Sequence, residues 1–341
     1  MIVVRSEIVD GVGRLVTQEL SDPNPGAGEV VLRVAGAGIN RADLLQVAGR
    51  YNVPPGATDV LGLEASGTVI AVGDGVDPTW RGREVVALVA SGGYATHLAV
   101  DVRNVLPAPE RVGLLEAGGV LEVAATAVSN LLLVARFQRG ETVLIHGATG
   151  GVGAFAIQLI AALGGRVAVT ASSGEKLDRA RMLGAQILIN YAEEDFAQRM
   201  AEVGGADVIL DTVAGGYLGR NLQALAVHGR IVTIGMQGGR QDELDFGVLL
   251  QKKASVIGTL LRDRPIEEKA AILAETERVA WPLLSSGQIQ HQTDSVFALL
   301  DASSALDRMR SGDHVGKIVL DCRDDAISSW PQIHPQVPEG A

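Results

Sequence analysis

The chain is short of several residue types, and each shortage removes a class of protein. It has one cysteine, Cys322, among 341 residues. No internal disulfide can form, so a secreted disulfide scaffold is excluded and a reducing compartment is expected. Cys322 itself reads as a small apolar residue near the end of a strand. Aromatic residues are only 4% of the chain, so its cores must be built from small and aliphatic side chains, as in α/β enzymes. No run of Lys or Arg occurs, and 29 basic against 40 acidic residues give a formal charge of −11. That balance argues against nucleic acid as a partner. The longest apolar stretch, Ala154 to Gly165, is interrupted by Gln158 and is too short to span a bilayer. The first residues, MIVVRSEIVDG, lack a basic region followed by an apolar stretch. A soluble cytoplasmic protein, with no membrane partner, is the expectation.

What the chain has in abundance is glycine, 42 residues, within a 47% hydrophobic composition. Its length allows two domains, each with its own core. The glycines concentrate most tellingly in Thr142 to Arg166, TVLIHGATGGVGAFAIQLIAALGGR. An apolar strand runs into Gly147-Ala148-Thr149-Gly150-Gly151-Val152-Gly153, an apolar helix follows, and a second strand comes at Val167 to Thr170. A strand, a glycine-rich turn and a helix inside a βαβ unit form the setting in which a dinucleotide pyrophosphate meets a helix N-terminus. The usual GxGxxG is here AxGxxG, with Ala148, Gly150 and Gly153 at its fixed positions.

Residues 1 to about 120 read as short strands separated by turns such as Pro23-Asn24-Pro25-Gly26 and Gly73-Asp74-Gly75. This spacing predicts an antiparallel, barrel-like domain. Leu114 to Ala135 looks helical, and strands then alternate with helices. The strand candidates are Val143–His146, Val167–Thr170, Ile187–Asn190, Val208–Leu210, Ile231–Ile234 and Ser255–Leu260. Such alternation predicts an α/β, doubly wound parallel sheet, the Rossmann arrangement. A long helix over Pro265 to Leu284 could return the chain to the first domain, with strands near Ser295–Leu299 and Lys317–Leu320 completing it. The expected division is 121–265 for cofactor binding, with 1–120 and 266–341 forming the catalytic domain. The tail, with Pro331, Pro335 and Pro338, is expected to be loosely ordered.

The second strand of a nucleotide fold decides between NAD and NADP. An acid at its tip binds the ribose 2′-hydroxyl, but this chain has Ala171-Ser172-Ser173-Gly174-Glu175-Lys176. Two hydroxyls and an ammonium suit a 2′-phosphate, hence NADPH. The competing reading makes Ser172 and Glu175 a capping box that merely starts a helix. Lys176 in the first turn opposes the helix dipole, which an anionic partner would explain. Tyr191, after the third strand, adds a hydroxyl from the adenosine side or packs half-buried.

Three motifs then carry a resemblance: Gly38-Ile39-Asn40-Arg41-Ala42-Asp43-Leu44, Gly49 to Gly56 (GRYNVPPG), and Leu61 to Gly67 (LGLEASG). With GATGGVG, Asn190 to Phe196, Gly229 to Val232, Gly258 to Arg262 and His314 to Leu320, the chain resembles the zinc-free quinone oxidoreductases. These belong to the medium-chain dehydrogenase/reductase superfamily, and the chain is most similar to their tumour-suppressor-inducible branch. The resemblance covers about residues 1 to 322. It implies a GroES-like β-barrel catalytic domain, a Rossmann domain, NADPH in the cleft between them, and a homodimer. By that resemblance Asn40, Tyr51 and Thr126 are the catalytic candidates. Ala148, Gly150, Gly151, Val152, Gly153, Ser172, Ser173, Lys176, Tyr191, Gly235, Thr259 and Leu260 are the cofactor-binding ones.

The same resemblance shows what is missing. Zinc-dependent relatives have cysteine where Asn40 stands and histidine where Leu63 stands. An amide and an aliphatic side chain leave no soft ligand set, so no metal is expected. Among the histidines (97, 146, 228, 291, 314 and 334) no pair has a ligand-like i, i+4 spacing, and each reads as a surface or strand-end residue. Glu64, at the zinc-shell position, reads as a structural carboxylate. Tyr51 could hydrogen-bond an acceptor carbonyl, or simply pack beside Pro54 and Pro55. Relatives carry proline at Leu121 and bulky aromatics around Ala125 and Val128, so a wider pocket is expected here. Without zinc to stabilise an alkoxide, alcohol oxidation is disfavoured, whereas an electron-poor acceptor needs less help. The expected function is an NADPH-dependent reductase of quinones or other α,β-unsaturated carbonyls. The alternatives are an enoyl reductase acting on thioesters and an NADPH-binding structural or regulatory protein.

Overall fold

The computed structural model describes residues 1–51, 53–323 and 326. Asn52, and the tail with Pro331, Pro335 and Pro338, lie outside the described residues. The chain opens with a hairpin of β1 (Ile2–Val9) and β2 (Val12–Glu19). Then come β3 (Glu29–Gly38), α1 (Arg41–Val47), β4 (Glu64–Val72), β5 (Glu84–Leu88), β6 (His97–Asp101) and β7 (Val105–Pro107). The connection to the second half is α2 (Leu114–Ala117) and α3 (Leu121–Val128). That half runs β8 (Thr142–His146), α4 (Gly151–Ala162), β9 (Arg166–Ala171), α5 (Gly174–Met182), β10 (Ile187–Asn190), α6 (Phe196–Glu202) and β11 (Ala206–Asp211). It continues with α7 (Leu218–Ala224), β12 (Leu225–Thr233), α8 (Phe246–Lys252) and β13 (Ser255–Gly258). The chain then returns through α9 (Ile266–Ser286) to β14 (Thr293–Ala298), α10 (Ala302–Ser311) and β15 (Lys317–Asp321).

The second half forms a sheet in the order β10-β9-β8-β11-β12-β13, parallel throughout. The order reverses between β8 and β11, and a ligand crevice is expected outside the strand ends there. Strands buried on both faces read as continuous apolar runs, which is why Val143 to Ile145 and Val208 to Leu210 are all fully buried. The other sheet runs β14-β15-β3-β4-β5-β7, with β6 also paired to β3. Its β3 to β7 pairs are antiparallel, the barrel-like half expected of the turn-rich N-terminus. Cys322, one residue past β15, is buried in that barrel's core, and burial pushes its thiol pKa up.

Three elements differ from the sequence reading in ways that shape the site. Leu114 to Ala135 is not one helix. The chain breaks at Gly118, where a side chain would fall 2.4 Å from the Gly36 backbone, and Ser129–Val134 widens into a π-turn. Strand β13 ends at Gly258 rather than Leu260, so Thr259 and Leu260 leave the sheet and line the cleft. Helix α9 feeds both cores. Ile272 and Leu273 pack with Val86 and Leu88 of the barrel side, whereas Ala280 and Leu284 pack beneath the parallel sheet with Val143 and Ile157.

Candidate active site

One cleft of about 590 Å³ runs along the junction of the two halves. One end is made of backbone. Gly147 turns the chain after β8 with φ +78°, which glycine adopts without strain. The first bond of the α4 ladder runs from the Ala154 N–H to the Gly150 carbonyl at 2.8 Å. The N–H groups of Gly151, Val152 and Gly153 therefore precede the ladder, on residues that line the cleft. Gly153 is required for close packing, since a Cβ there would lie 2.2 Å from the Gly147 carbonyl oxygen. Across the turn, the Gly316 N–H donates to Thr149 O at 2.9 Å, tying the loop before β15 to the glycine turn. Free N–H groups and the helix dipole make this end an anion site.

Around it the structure collects Ala148, Gly150, Gly151, Val152, Gly153, Ser172, Lys176, Tyr191, Gly235, Thr259 and Leu260 in the same cleft. Ser173 is not among the lining residues. It caps α5, its hydroxyl accepting from the Lys176 N–H at 3.4 Å. The competing reading of Ser172 and Glu175 as a capping box does not hold: the helix starts one residue later, and the Ser172 side chain is left to the cleft. The Lys176 ammonium rests on Gly312 O at 3.1 Å, a carbonyl rather than an anion. Tyr191 is 45% exposed, at the mouth of the cleft rather than packed.

The other end is made of side chains. Tyr51 lies beneath the Arg262 guanidinium, 5.0 Å from its ring centroid. Burial raises its phenol pKa, against the field of Arg262, so the hydroxyl is a neutral donor at pH 7. Thr126 donates to Glu122 Oε1 at 3.0 Å, one helical turn away. Burial pushes the Glu122 carboxyl up to about 7, with Lys317 opposing. Asp43, fully buried, accepts from Tyr94 and from the Asn40 N–H, each at 2.7 Å; burial still pushes it up to about 6.

Asn40 lines the cleft, but its amide is already engaged. Its Nδ2 donates to Gly38 O and Glu64 Oε1 at 3.2 and 3.1 Å, and its Oδ1 accepts from Lys317 at 2.7 Å. Both amide hydrogens and the carbonyl oxygen of Asn40 are thus engaged by protein partners in the cleft wall. Lys317 also donates to Ile39 O at 2.7 Å and pairs with Glu64 Oε1 at 2.9 Å, both partners being buried. Glu64 Oε2 accepts from the Glu122 N–H at 2.9 Å. Sequence reasoning missed Lys317, Glu122, Arg262 and Lys269. The Glu122–Thr126 i, i+4 pair on one helix face was the available signal.

The pocket-width expectation is corrected. Leu121, Ala125 and Val128 are fully buried, and none lines the cleft. Leu121 and Ala125 pack against Val86, Leu106 and Ile272, and Val128 packs under the parallel sheet. Helical periodicity presents Glu122, Val123, Thr126 and Asn130 to the cleft instead. His146 is also more than a strand-end residue, being fully buried and braced between Thr170 and Asn221 at 2.8 Å each.

Two family descriptions match the chain: "Alcohol dehydrogenase GroES-like domain" over residues 26–110 and "Zinc-binding dehydrogenase" over residues 151–277. A bovine quinone oxidoreductase-like protein 2 is 30% identical over 310 residues, 90% of this chain and 88% of that protein. The chain belongs to the medium-chain dehydrogenase/reductase superfamily. This superfamily member also superposes on the Escherichia coli quinone oxidoreductase complexed with NADPH, with a TM-score of 0.82 and 26% identity over 94% of this chain and all of that one. A Mycobacterium tuberculosis phenolphthiocerol/phthiocerol polyketide synthase subunit is 32% identical over 318 residues, 92% of this chain. The chain spans about a seventh of that relative, 14% of its length.

The zinc named in one family description does not fit the residues present. Leu63 offers an aliphatic chain to the cleft, and the Lys317 ammonium already holds Asn40 Oδ1 and Glu64 Oε1. A dication beside that ammonium would lack soft ligands. Among the described residues no group of three or more His, Cys, Asp or Glu is placed to hold a metal. Among them, too, no helix is long and apolar enough to cross a membrane.

Proposed function

We propose that this superfamily member is an NADPH-dependent reductase of quinones or other α,β-unsaturated carbonyls, working in the cytoplasm. The observation that carries the reading is the single cleft joining a backbone-built anion site to a Tyr51–Thr126–Glu122 cluster. The leading N–H groups of α4 would hold a pyrophosphate, and Ser172 with Lys176 a 2′-phosphate. When bound, NADPH supplies the hydride. At the acceptor end, the neutral Tyr51 phenol donates to the acceptor's carbonyl oxygen. The Thr126 hydroxyl is held by Glu122, whose elevated pKa lets it keep or release a proton near neutrality. Asn40, locked by Lys317 and Glu64, fixes the start of α1 and the cleft wall. A second copy of the chain would pair along the edge strand β13, where Val256 and the neighbouring Phe246 and Leu250 of α8 are exposed.

An enoyl reductase acting on thioesters is the second reading, favoured by the match to a polyketide synthase subunit. An NADPH-oxidation assay with benzoquinones, enones and a crotonyl thioester tests both. NADPH loss matched by hydroquinone or saturated ketone supports the proposal. Turnover of the thioester alone supports the second reading. Tight NADPH binding with no turnover would leave a cofactor-binding protein.

A further inference from the structure

The acceptor end of the cleft carries cationic donors that the protein's own groups leave partly unused. Lys269, in the first turn of α9, is 5% exposed and lines the cleft. Among the described residues its ammonium has neither a hydrogen-bond nor an ion-pair partner. Burial lowers its pKa, with Asp263 opposing and Arg262 adding to the effect. Arg262 is 6% exposed. Its Nε donates to Ala90 O and its Nη2 to Gln46 Oε1, each at 2.6 Å, while the buried Nη1 has no partner among the described residues.

Nearby carboxylates do not complete this set. Asp263 is exposed. Asp43 accepts from Tyr94 and Asn40 on Oδ2, and its buried Oδ1 lacks a partner. Glu122 is engaged by Thr126 on one oxygen. An N–H donor left without a partner is costly, and the Nη1 edge of Arg262 together with the Lys269 ammonium, on two residues lining one cleft, describes a recognition site for an anion. The donors left over are one edge of a guanidinium and one ammonium, which match the two oxygens of a carboxylate. Because Arg262 stacks on Tyr51, that carboxylate would sit close to the carbonyl that the phenol receives.

We propose that the acceptor bears a carboxylate near its reducible carbonyl, bound by Lys269 and by Nη1 of Arg262. The substrate class is then an oxo-enoic acid or a quinone carboxylate, and this identification rests on the reductase reading above. The probes are 3-benzoylacrylate and its methyl ester as substrates, and 3-benzoylpropionate and its methyl ester as non-reacting ligands of the cofactor-loaded protein. Two charge-assisted contacts should favour the acid by roughly ten- to a hundredfold in kcat/KM. In Lys269→Met that preference should fall about tenfold, while Tm should not fall, since the ammonium has no partner to lose among the described residues. By calorimetry, 3-benzoylpropionate should bind better than its ester, and Lys269→Met should remove the difference. Turnover of acid and ester at equal rates, with a ratio indifferent to Lys269→Met, would overturn the carboxylate site and leave the reductase standing. Lys269-dependent binding of 3-benzoylpropionate without turnover of either enone would sustain the site and sink the reductase reading.

Discussion

The two ends of the cleft are built by different means. At the end proposed for the cofactor the available groups are backbone N–H groups placed by one continuous segment, Gly147 to Gly153, at the edge of a parallel sheet. At the acceptor end they are side chains from five separate stretches around Asn40, Tyr51, Glu122, Arg262 and Lys317. Buried charge distinguishes them too. The glycine turn holds none of its own, whereas the acceptor end contains the fully buried Glu64–Lys317 pair at 2.9 Å. The first design depends on the shape of a turn and the second on mutual electrostatic satisfaction. They should fail differently.

The largest expected effect is at the acceptor end. Lys317→Met strips the cation from Glu64, Asn40 Oδ1 and Ile39 O, leaving a buried carboxylate uncompensated. A loss of roughly 3–5 kcal/mol is expected in denaturant unfolding. Adding Glu64→Gln should recover part of it, and a Lys317→Met protein of wild-type stability would remove the claimed contrast.

At the cofactor end the expected effect is on affinity rather than stability. Lys176→Ala should narrow the preference for NADPH over NADH, since a charge-assisted phosphate contact is worth roughly 1.5–3 kcal/mol. Fluorescence titration with both cofactors checks it. An unchanged preference would return Lys176 to its contact with Gly312 O.

Tyr51→Phe sharpens the comparison on the chemical side. It should lower kcat/KM about tenfold, one neutral hydrogen bond being worth about 1 kcal/mol, with NADPH affinity nearly intact. A wild-type rate would make Tyr51 a platform for Arg262 and nothing more.

The smallest effect is a pH slope. Glu122 is pushed up to about 7 in the fold from an ordinary value of 4.5. Its contribution to stability is therefore complete below about pH 4.5 and is lost as pH rises through 7. Because Glu122 lines the cleft and is only partly buried as a residue, the slope should be shallow. Tm measured from pH 5 to 8 should fall more in the wild type than in Glu122→Gln, and parallel curves would place the titrating group elsewhere.

The contrast also explains what could be read in the sequence. The alternating apolar runs gave the strand order its elements, and the glycine turn announced itself because backbone recognition is local in sequence. Acceptor-end chemistry is not local. Nothing near Asn40 reveals that Lys317 will occupy its carbonyl oxygen, 277 residues away. Ala125 was placed in the pocket because residue size carries no information about helix face. Only the position of Thr126 relative to Glu122 could have oriented that helix. The competing cap at Ser172 misses the start of α5 by one residue because adjacent serines offer equivalent caps, and the Lys176 N–H settles on Ser173.

The most direct test of the account is stoichiometric. With the purified protein, 1,4-benzoquinone and limiting cofactor, NADPH disappearance and hydroquinone formation are followed together, and the run is repeated with NADH. The account predicts one hydroquinone per NADPH, at a rate well above the uncatalysed background and faster than with NADH. NADPH that binds tightly but is consumed no faster than in the protein-free control, by quinone or enone alike, would contradict it.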